Sequence, residues 1–579
     1  RPAELGGTST APTVNEKAQW KTGGNFTAPL TERTTINTAD TLVNIGKNLH
    51  GNPATNVIAA IAGTGSSPLV NINARGHQLQ LQVENTVGNP TGIYAGNPKG
   101  VTVTATEVNI LTKGKEGGNS LTNAIQLDPP KALGLPANRA MQLTVTGNTN
   151  ISMTGGLGGN AIAIQKSDRF GEKSYETSGT TRIRINGDLT VAGARTDQWG
   201  IPLNRTNVLS RFNNAGILTQ VDGSEVVVGK KTNMTVYGNG VTTNAAGSRV
   251  LLSGGGHITV PAGTKYSYYA LAAYKGSIFM NMGDNGTTPG NGKSPLLMED
   301  VQLDGDLFAL PQGQLNVALM TNQSYLHGLV DSGGTSNIYL QNGAKWLNEG
   351  RNARYYQDDE DIGAGTVQKV GGKSVYTAKS HVTNLFGGTS EAARGILYQK
   401  DISPITIDNY SGHAAAIYRH NPAAPTAIQG GGIVIGNAVG TENVFTLFTD
   451  ANGVTAANQD NVLNALAGKL TYKNYTDGKL TGKLAIGEGL TTSSIHKDIT
   501  FRTEQGSFDG NVTPPSNEQT KTKFTAQLTQ KDVPEYKTAN VEPTPGNYKF
   551  TKDTKIAHAS FNGAIYASAF PDRPIQVDA

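Results

Sequence analysis

Apolar and polar residues alternate in short runs along nearly the whole chain, and each run stops at Gly, Asn, Asp or Ser. Alternation over four to six residues is the pattern of a half-buried β-strand. The Gly-Asn, Asn-Gly and Gly-Gly steps between runs supply the positive φ angles that tight corners need. We therefore predict an all-β protein, with strands in segments such as HQLQLQVENT (77–86), GVTVTATEVNIL (100–111), AMQLTVTGNTNISM (140–153) and TTRIRINGDLTVAG (180–193).

Short units of the form "Gly or Ala, apolar, any residue, apolar" recur about every 20–25 residues, the range in which solenoids repeat. This recurrence favours a right-handed parallel β-helix in which residues 1–579 form one domain, with a shaft of roughly 120 Å. A string of immunoglobulin-like sandwiches would show a unit of about 100 residues and a recurrent buried Trp, whereas the chain has three Trp. Examples of the unit are GIYAG (92–96), NAIAIQ (160–165), GILYQ (395–399) and HAAAIY (413–418).

Helical patterning is rare. The best candidate is NQDNVLNALAGKL (458–470), in which Val462, Leu463, Leu466 and Leu470 have helical spacing. Asn458 or Asp460 is a suitable N-cap, and we expect Gly468 to end the helix.

Three stretches break the alternation and are predicted to leave the shaft. Residues 166–180 are charged and are expected to form a loop. Residues 351–381 are expected to form a protruding loop or hairpin, and residues 513–550, rich in Pro, Lys and Thr, a polar mobile insertion.

Composition narrows the functional classes. The 579 residues include 72 Gly and no Cys, only 16% are charged, and the formal net charge is +4. The absence of Cys excludes disulfides, thiolate metal sites and a cysteine nucleophile. Basic clusters interleaved with aromatic residues are missing, so we expect no nucleic-acid partner. The chain starts at Arg1 and has no apolar run long enough for a membrane helix, which predicts a mature fragment whose leader has been removed.

Catalytic motifs are weak. The two Gly-Lys-Ser triplets lack the upstream Gly of a phosphate-binding loop, and there is no nucleophile elbow. Carboxylates for glycosidase or lyase chemistry are available at Asp304, Asp306 and Glu349. The acidic run 358–361 is a weak candidate for a cation site, and we favour a solvated loop there. His413 and His420 are a weak candidate for a metal site, and we favour scattered histidines without a metal. We therefore expect no enzyme, metal or cofactor.

Two aromatic clusters remain. YSYYALAAY contains Tyr266, Tyr268, Tyr269 and Tyr274, and alternate Tyr side chains are predicted to stack in the core. RNARYYQ lies in the charged excursion 351–381, where Tyr and Arg make effective exposed contacts. The candidate ligand-binding residues all lie in this excursion: Arg351, Arg354, Tyr355, Tyr356, Asp358, Asp359, Lys369, Lys373 and Tyr376.

Several segments resemble a known family. DGDLFALPQGQLNVALMTNQSYLHGLVDSGGTSNIYLQNGAKWLNEG (304–350), ISPITIDNYSGHAAAIY (402–418) and the series across 431–501 resemble the passenger regions of classical monomeric (type V) autotransporters of Gram-negative bacteria. The resemblance implies a right-handed parallel β-helix that is exported and anchored by an outer-membrane β-barrel. The end of the chain lacks a run of membrane strands, so we expect the passenger domain alone.

The resemblance also implies a role at the bacterial surface. Passengers without catalytic motifs are commonly adhesins, so we expect attachment to host-cell or matrix proteins or glycans, to other bacteria, or to further copies of the chain in aggregates and biofilm. Many weak polar contacts along a shaft would add by multivalency. The alternatives are a polysaccharide-active lyase or glycosidase, which needs clustered carboxylates, and a structural spacer, which needs no protruding loops.

Overall fold

The computed structural model describes most of the chain between residues 57 and 486, and short isolated strands on either side. The continuous stretches are 57–63, 70–84, 89–96, 100–115, 123–129, 142–156, 159–165, 181–193, 215–260, 268–283, 297–350, 362–450, 452–476 and 478–486. The predicted excursion 166–180 and the predicted insertion 513–550 lie almost wholly outside the described residues.

The described residues are nearly all β, which confirms the predicted class. The first half contains β1 (Thr34–Asn37), β2 (Leu42–Lys47), β3 (Gly51–Asn52), β4 (Val57–Gly63), β5 (Val70–Glu84), β6 (Asn89–Ala95), β7 (Val101–Lys113), β8 (Asn123–Leu127), β9 (Asn138–Arg139), β10 (Gln142–Val145), β11 (Asn148–Thr154), β12 (Ile162–Ile164), β13 (Thr177–Ser178), β14 (Arg182–Ile185), β15 (Leu189–Ala192), β16 (Ile217–Thr219), β17 (Glu225–Val228), β18 (Thr232–Thr235), β19 (Val241–Leu252), β20 (Gly256–Thr259) and β21 (Tyr269–Met280).

The second half continues in the same way. It contains β22 (Val301–Asp304), β23 (Asp306–Leu319), β24 (Tyr325–His327), β25 (Val330–Ser332), β26 (Thr335–Leu340), β27 (Lys345–Asn348), β28 (Arg354–Tyr356), β29 (Thr366–Val370), β30 (Lys373–Thr377), β31 (His381–Phe386), β32 (Gly395–Gln399), β33 (Ile405–Asn421), β34 (Ala424–Gln429), β35 (Ile433–Thr449), β36 (Leu470–Tyr472), β37 (Thr481–Ile486), β38 (Ile495–Phe501), β39 (Thr522–Lys523), β40 (Leu528–Thr529), β41 (Lys549–Phe550) and β42 (Gln576–Val577).

Most strands belong to one large sheet in which most neighbours pair in parallel. The pairs form three ladders, and each ladder carries a column of buried apolar side chains because alternate residues of a strand face the same way. One column runs Leu81, Ile110, Ile151, Val191, Met234, Ile258, Leu303, Leu326, Trp346, Leu397, Ala416, Leu447 and Leu484.

The other two columns also consist of buried apolar side chains. One runs Ile72, Val103, Val145, Ile185, Val228, Leu252, Met280, Val317, Ile338, Leu385 and Tyr410. The third runs Ile61, Ile93, Ile125, Ile162, Ile217, Val241, Leu271, Leu307 and Val330. All three contribute to one continuous hydrophobic core.

The ladder is shorter than the sequence repeat predicts. The strands that stack from β2 to β37, over residues 42–486, span about 60 Å at ~4.8 Å per step, whereas a coil of ~22 residues predicts roughly 100 Å for this stretch. Successive partners in a ladder are not evenly spaced along the chain, because loops and excursions lengthen the connection, as between Ile338 and Leu385.

The predicted helix is confirmed as α1 (Gln459–Ala467), with Val462, Leu463 and Leu466 buried. Asn458 is the N-cap residue and Gly468 the C-cap residue. Leu470, which shares the helical spacing but follows Gly468, begins β36.

The three described residues of the first tyrosine cluster are buried, but in two different places. Tyr268 joins the main core. Tyr269 stacks on Phe308 with ring centroids 4.6 Å apart, and Tyr274 meets Phe308 edge-on at 5.7 Å, in a separate apolar cluster. Tyr266 lies outside the described residues.

Candidate binding site

A three-stranded antiparallel sheet interrupts the parallel ladder inside the predicted excursion 351–381. Its strand order is β28, β30, β29, and in backbone strand pairing these three strands form a sheet separate from the large one. The parallel ladder continues past this sheet, since β26 pairs with β31 and β27 pairs with β32. We call residues 354–377 the hairpin sheet; it is an insertion that the stacking of the ladder does not require.

A buried carboxylate fastens the hairpin sheet to the ladder. Asp331, in β25, accepts hydrogen bonds at Oδ1 from the Tyr376 hydroxyl and from the Ala364 backbone N–H, both at 2.7 Å. The Tyr376 hydroxyl in turn accepts the backbone N–H groups of Gly363 and Gly365 at 3.0 and 2.9 Å. A Cβ on Gly363 would lie 2.4 Å from Asp331 Oδ1, so only glycine allows this close approach.

The environment of Asp331 disfavours its charge. Burial raises the pKa of its carboxyl from 3.8 to about 7, against the opposing effect of the hydrogen bonds from Tyr376 and Ala364. The hairpin sheet is therefore held by a group that is half-ionised near neutral pH.

This pKa predicts a pH dependence of stability. Because the folded chain keeps a proton on Asp331 that the unfolded chain loses near pH 4, stability falls as the pH rises from about 4 to about 7 and then levels off. Between pH 5 and pH 8 the contribution of Asp331 to the free energy of unfolding should fall by roughly 2–3 kcal/mol. The measurement is the free energy of unfolding in urea at pH 5 and at pH 8, for the intact chain and for Asp331→Asn. The Asp331→Asn variant should lack this part of the pH dependence. An equal pH dependence in both proteins would contradict the assignment.

The tip of the hairpin sheet presents two of the predicted binding residues. Lys369 and Lys373 are exposed on either side of Gly371 and Gly372. These two glycines have φ angles of +56° and +78°, and a two-residue type I′ hairpin turn needs positive φ at both central positions. Val370 is 58% exposed beside them. Lys369 Nζ donates to Ser374 Oγ at 2.6 Å.

The remaining predicted binding residues have different positions. Tyr376 is only 3% exposed and serves the attachment to Asp331 rather than an outer surface. Arg354, Tyr355 and Tyr356 form β28, where their backbones pair with β30; the structure does not describe their side chains. The other three lie outside the described residues: Arg351, Asp358 and Asp359.

A polar groove of about 440 Å³ lies elsewhere on the ladder, across β15, β18 and β20. Residues that are neighbours in register line it, since Thr190 pairs with Asn233, Asn233 with His257, and His257 with Gln302. Lys231 and Asp300 complete its polar lining.

His257 is held in a fixed orientation in this groove. Its Nε2 lies 2.7 Å from Asp304 Oδ2 and 3.1 Å from Thr259 Oγ1. The Tyr325 hydroxyl donates to the same Asp304 oxygen at 2.8 Å, and the Tyr325 ring meets the imidazole edge-on with centroids 6.3 Å apart. Sequence patterns do not predict this cluster, because His257, Asp304 and Tyr325 are 21 to 68 residues apart along the chain.

The three carboxylates weighed for glycosidase or lyase chemistry each have different partners. Asp304 bonds His257 and Tyr325, whereas Asp306 is buried and accepts the Leu329 N–H at 2.9 Å. Glu349 lies 3.1 Å from His327 and 2.9 Å from Lys400, and chiefly the His327 hydrogen bond lowers its pKa to about 2.

The two histidines weighed as metal ligands have different side-chain partners. His420 bonds Thr449 and Asp450, and His413 faces Glu442. Across the described residues, no group of three or more His, Asp or Glu is arranged to hold a metal ion.

Comparisons with known proteins found no match: no family model, no curated protein and no solved structure is significantly similar to the chain. Within the part of the chain that the structure describes, no helix is long and apolar enough to cross a membrane.

Proposed function

We propose that the chain is a cell-surface adhesin. The observation that carries the proposal is the hairpin sheet, which leaves the ladder, is fastened through Asp331 and Tyr376, and exposes Lys369, Val370 and Lys373 at its tip. A rigidly held projection with cationic and apolar groups is suited to contact another surface at low entropic cost. A structural spacer would not need such a projection.

The architecture we propose is a right-handed parallel β-helix. Three parallel ladders with continuous apolar columns support it, because a chain that supplies successive strands to three stacked ladders buries its apolar face only against its own neighbouring turns. In this architecture the hairpin sheet is a side projection of the shaft.

The place and partners we propose come from the resemblance of residues 304–350, 402–418 and 431–501 to autotransporter passengers. The chain would act outside a Gram-negative cell, anchored to its outer membrane. Its partners would be host-cell or matrix proteins or glycans, other bacteria, or copies of itself in aggregates and biofilm. The low charge content, 16%, keeps mutual repulsion between such copies small.

The test displays the chain on a non-adherent bacterium through a heterologous surface anchor. Attachment is scored on epithelial cells, on matrix-protein surfaces and on a panel of other bacteria, and clumping is scored by sedimentation; the anchor alone is the control. We expect attachment or clumping above the control on at least one surface. Equal scores on every surface, at a confirmed display level, would overturn the adhesin proposal.

A further inference from the structure

The polar groove over β15, β18 and β20 contains hydrogen-bonding groups that the described part of the protein does not use. Asn233 Oδ1 accepts the His257 backbone N–H at 3.1 Å, and Gln302 Nε2 donates to the Gln323 carbonyl at 3.1 Å. Among the described residues no partner engages Asn233 Nδ2, Gln302 Oε1 or His257 Nδ1. The groove therefore offers an amide donor, an amide acceptor and an imidazole nitrogen side by side.

These groups are held in place before any ligand arrives. Asp304 and Thr259 fix His257, and Tyr325 supports both the carboxylate and the ring. The backbone beneath is equally constrained, since Gly256 has φ +127° and a Cβ there would lie 1.8 Å from the Thr232 carbonyl oxygen. A preorganised site loses less conformational entropy when a ligand binds.

The lining also indicates the chemical class of the ligand. Lys231 is offset by Asp300 on the rim and by Asp304 behind His257, so the groove has no excess positive charge for a phosphate or sulfate. Val191 and Met234 are each 3% exposed and belong to the core, so the groove offers no deep apolar pocket for a peptide anchor. The backbones of β15, β18 and β20 are paired on both sides, which leaves no free edge for an extended peptide strand.

A ligand rich in neutral hydroxyl groups fits this lining best. Amide, imidazole and hydroxyl side chains can each donate to or accept from a sugar hydroxyl. The distance from β15 to β22 is about 14 Å at ~4.8 Å per strand, enough for a short oligosaccharide. We propose that the groove formed by Asn233, His257 and Gln302 binds a neutral oligosaccharide. This site is separate from the hairpin sheet and goes beyond the proposed adhesion.

The test measures binding to the purified full chain by isothermal titration calorimetry. The probes are neutral oligosaccharides of glucose, galactose, N-acetylglucosamine and N-acetylgalactosamine, with a sulfated oligosaccharide and polyphosphate as charged comparisons. We expect at least one neutral probe to bind, and Asn233→Ala and His257→Ala each to weaken it roughly tenfold, as for the loss of one hydrogen bond. Circular dichroism checks the fold, and His257→Gln replaces His257→Ala if the latter does not fold.

The control variants are Thr144→Ala and Thr406→Ala, which remove outward-facing hydroxyls on β10 and β33 and should leave binding unchanged. The inference is overturned if no neutral probe binds, if both groove variants bind as well as the intact chain, or if only the charged probes bind. Because no cells are involved, the result is independent of the attachment assay. A chain that binds sugars but attaches to no surface would keep this inference and overturn the adhesin proposal.

Discussion

Replacing Trp346 with alanine is expected to lower the free energy of unfolding by about 3–5 kcal/mol. Trp346 is fully buried in the longest apolar column, between Leu326 of β24 and Leu397 of β32. Its Nε1 donates to the Gly328 carbonyl oxygen at 2.9 Å. The substitution leaves a cavity in the column and an unsatisfied carbonyl beside it.

Two control variants make this prediction specific. Trp346→Phe keeps most of the packing and loses the hydrogen bond, so it should cost less than the alanine variant. Ile402→Ala removes a side chain that is 87% exposed and should change stability by no more than about 0.5 kcal/mol. Urea unfolding gives all three values. A cost for Trp346→Ala as small as that for Ile402→Ala would show that the column does not stabilise the fold.

Alternation along the sequence predicted the ladders because each strand buries every second residue. In RIRI, which forms β14, Ile183 and Ile185 are buried in the core while Arg182 and Arg184 face outward. Alternation does not predict the apolar residues that are buried on the opposite face of some strands. All five residues of β8, NAIQL, are buried, and the cluster around Phe308 covers the outer side of neighbouring strands. Such burial depends on packing between remote segments, which alternation within one strand does not reveal.

The hairpin sheet was partly predictable. TVQKVGGKSVYT places two glycines between alternating runs, the pattern of a tight hairpin turn, and β29 and β30 pair around them. Its attachment was not predictable, because Asp331 precedes Ser332 and two glycines in a segment that resembles any surface turn. Only the folded register brings Asp331 to Tyr376, 45 residues away.

The same reason explains the groove. His257 and Asp304 are 47 residues apart, and nothing in the local sequence of either marks a site. They meet because β20 pairs with β22 and places Thr259 beside Asp304. Where a ladder assembles a site from neighbouring strands, sequence patterns predict the strands but not which side chains meet.

Removal of the hairpin sheet should abolish most of the attachment of the displayed chain. The variant replaces residues 354–377 with a short Gly-Ser linker and carries Asp331→Asn, because loss of Tyr376 would otherwise leave a buried carboxylate without its partner. The intact chain with Asp331→Asn alone is the matched control. The parallel ladder should persist, since β26 and β27 pair with β31 and β32 without the hairpin sheet.

The decisive measurement is the number of attached cells, at equal display, for the intact chain, the Asp331→Asn control and the chain without the hairpin sheet. We expect the first two to attach equally and the third to fall close to the level of the anchor alone. Full attachment of a folded chain that lacks residues 354–377 would contradict the central claim, because the contact would then lie elsewhere on the ladder.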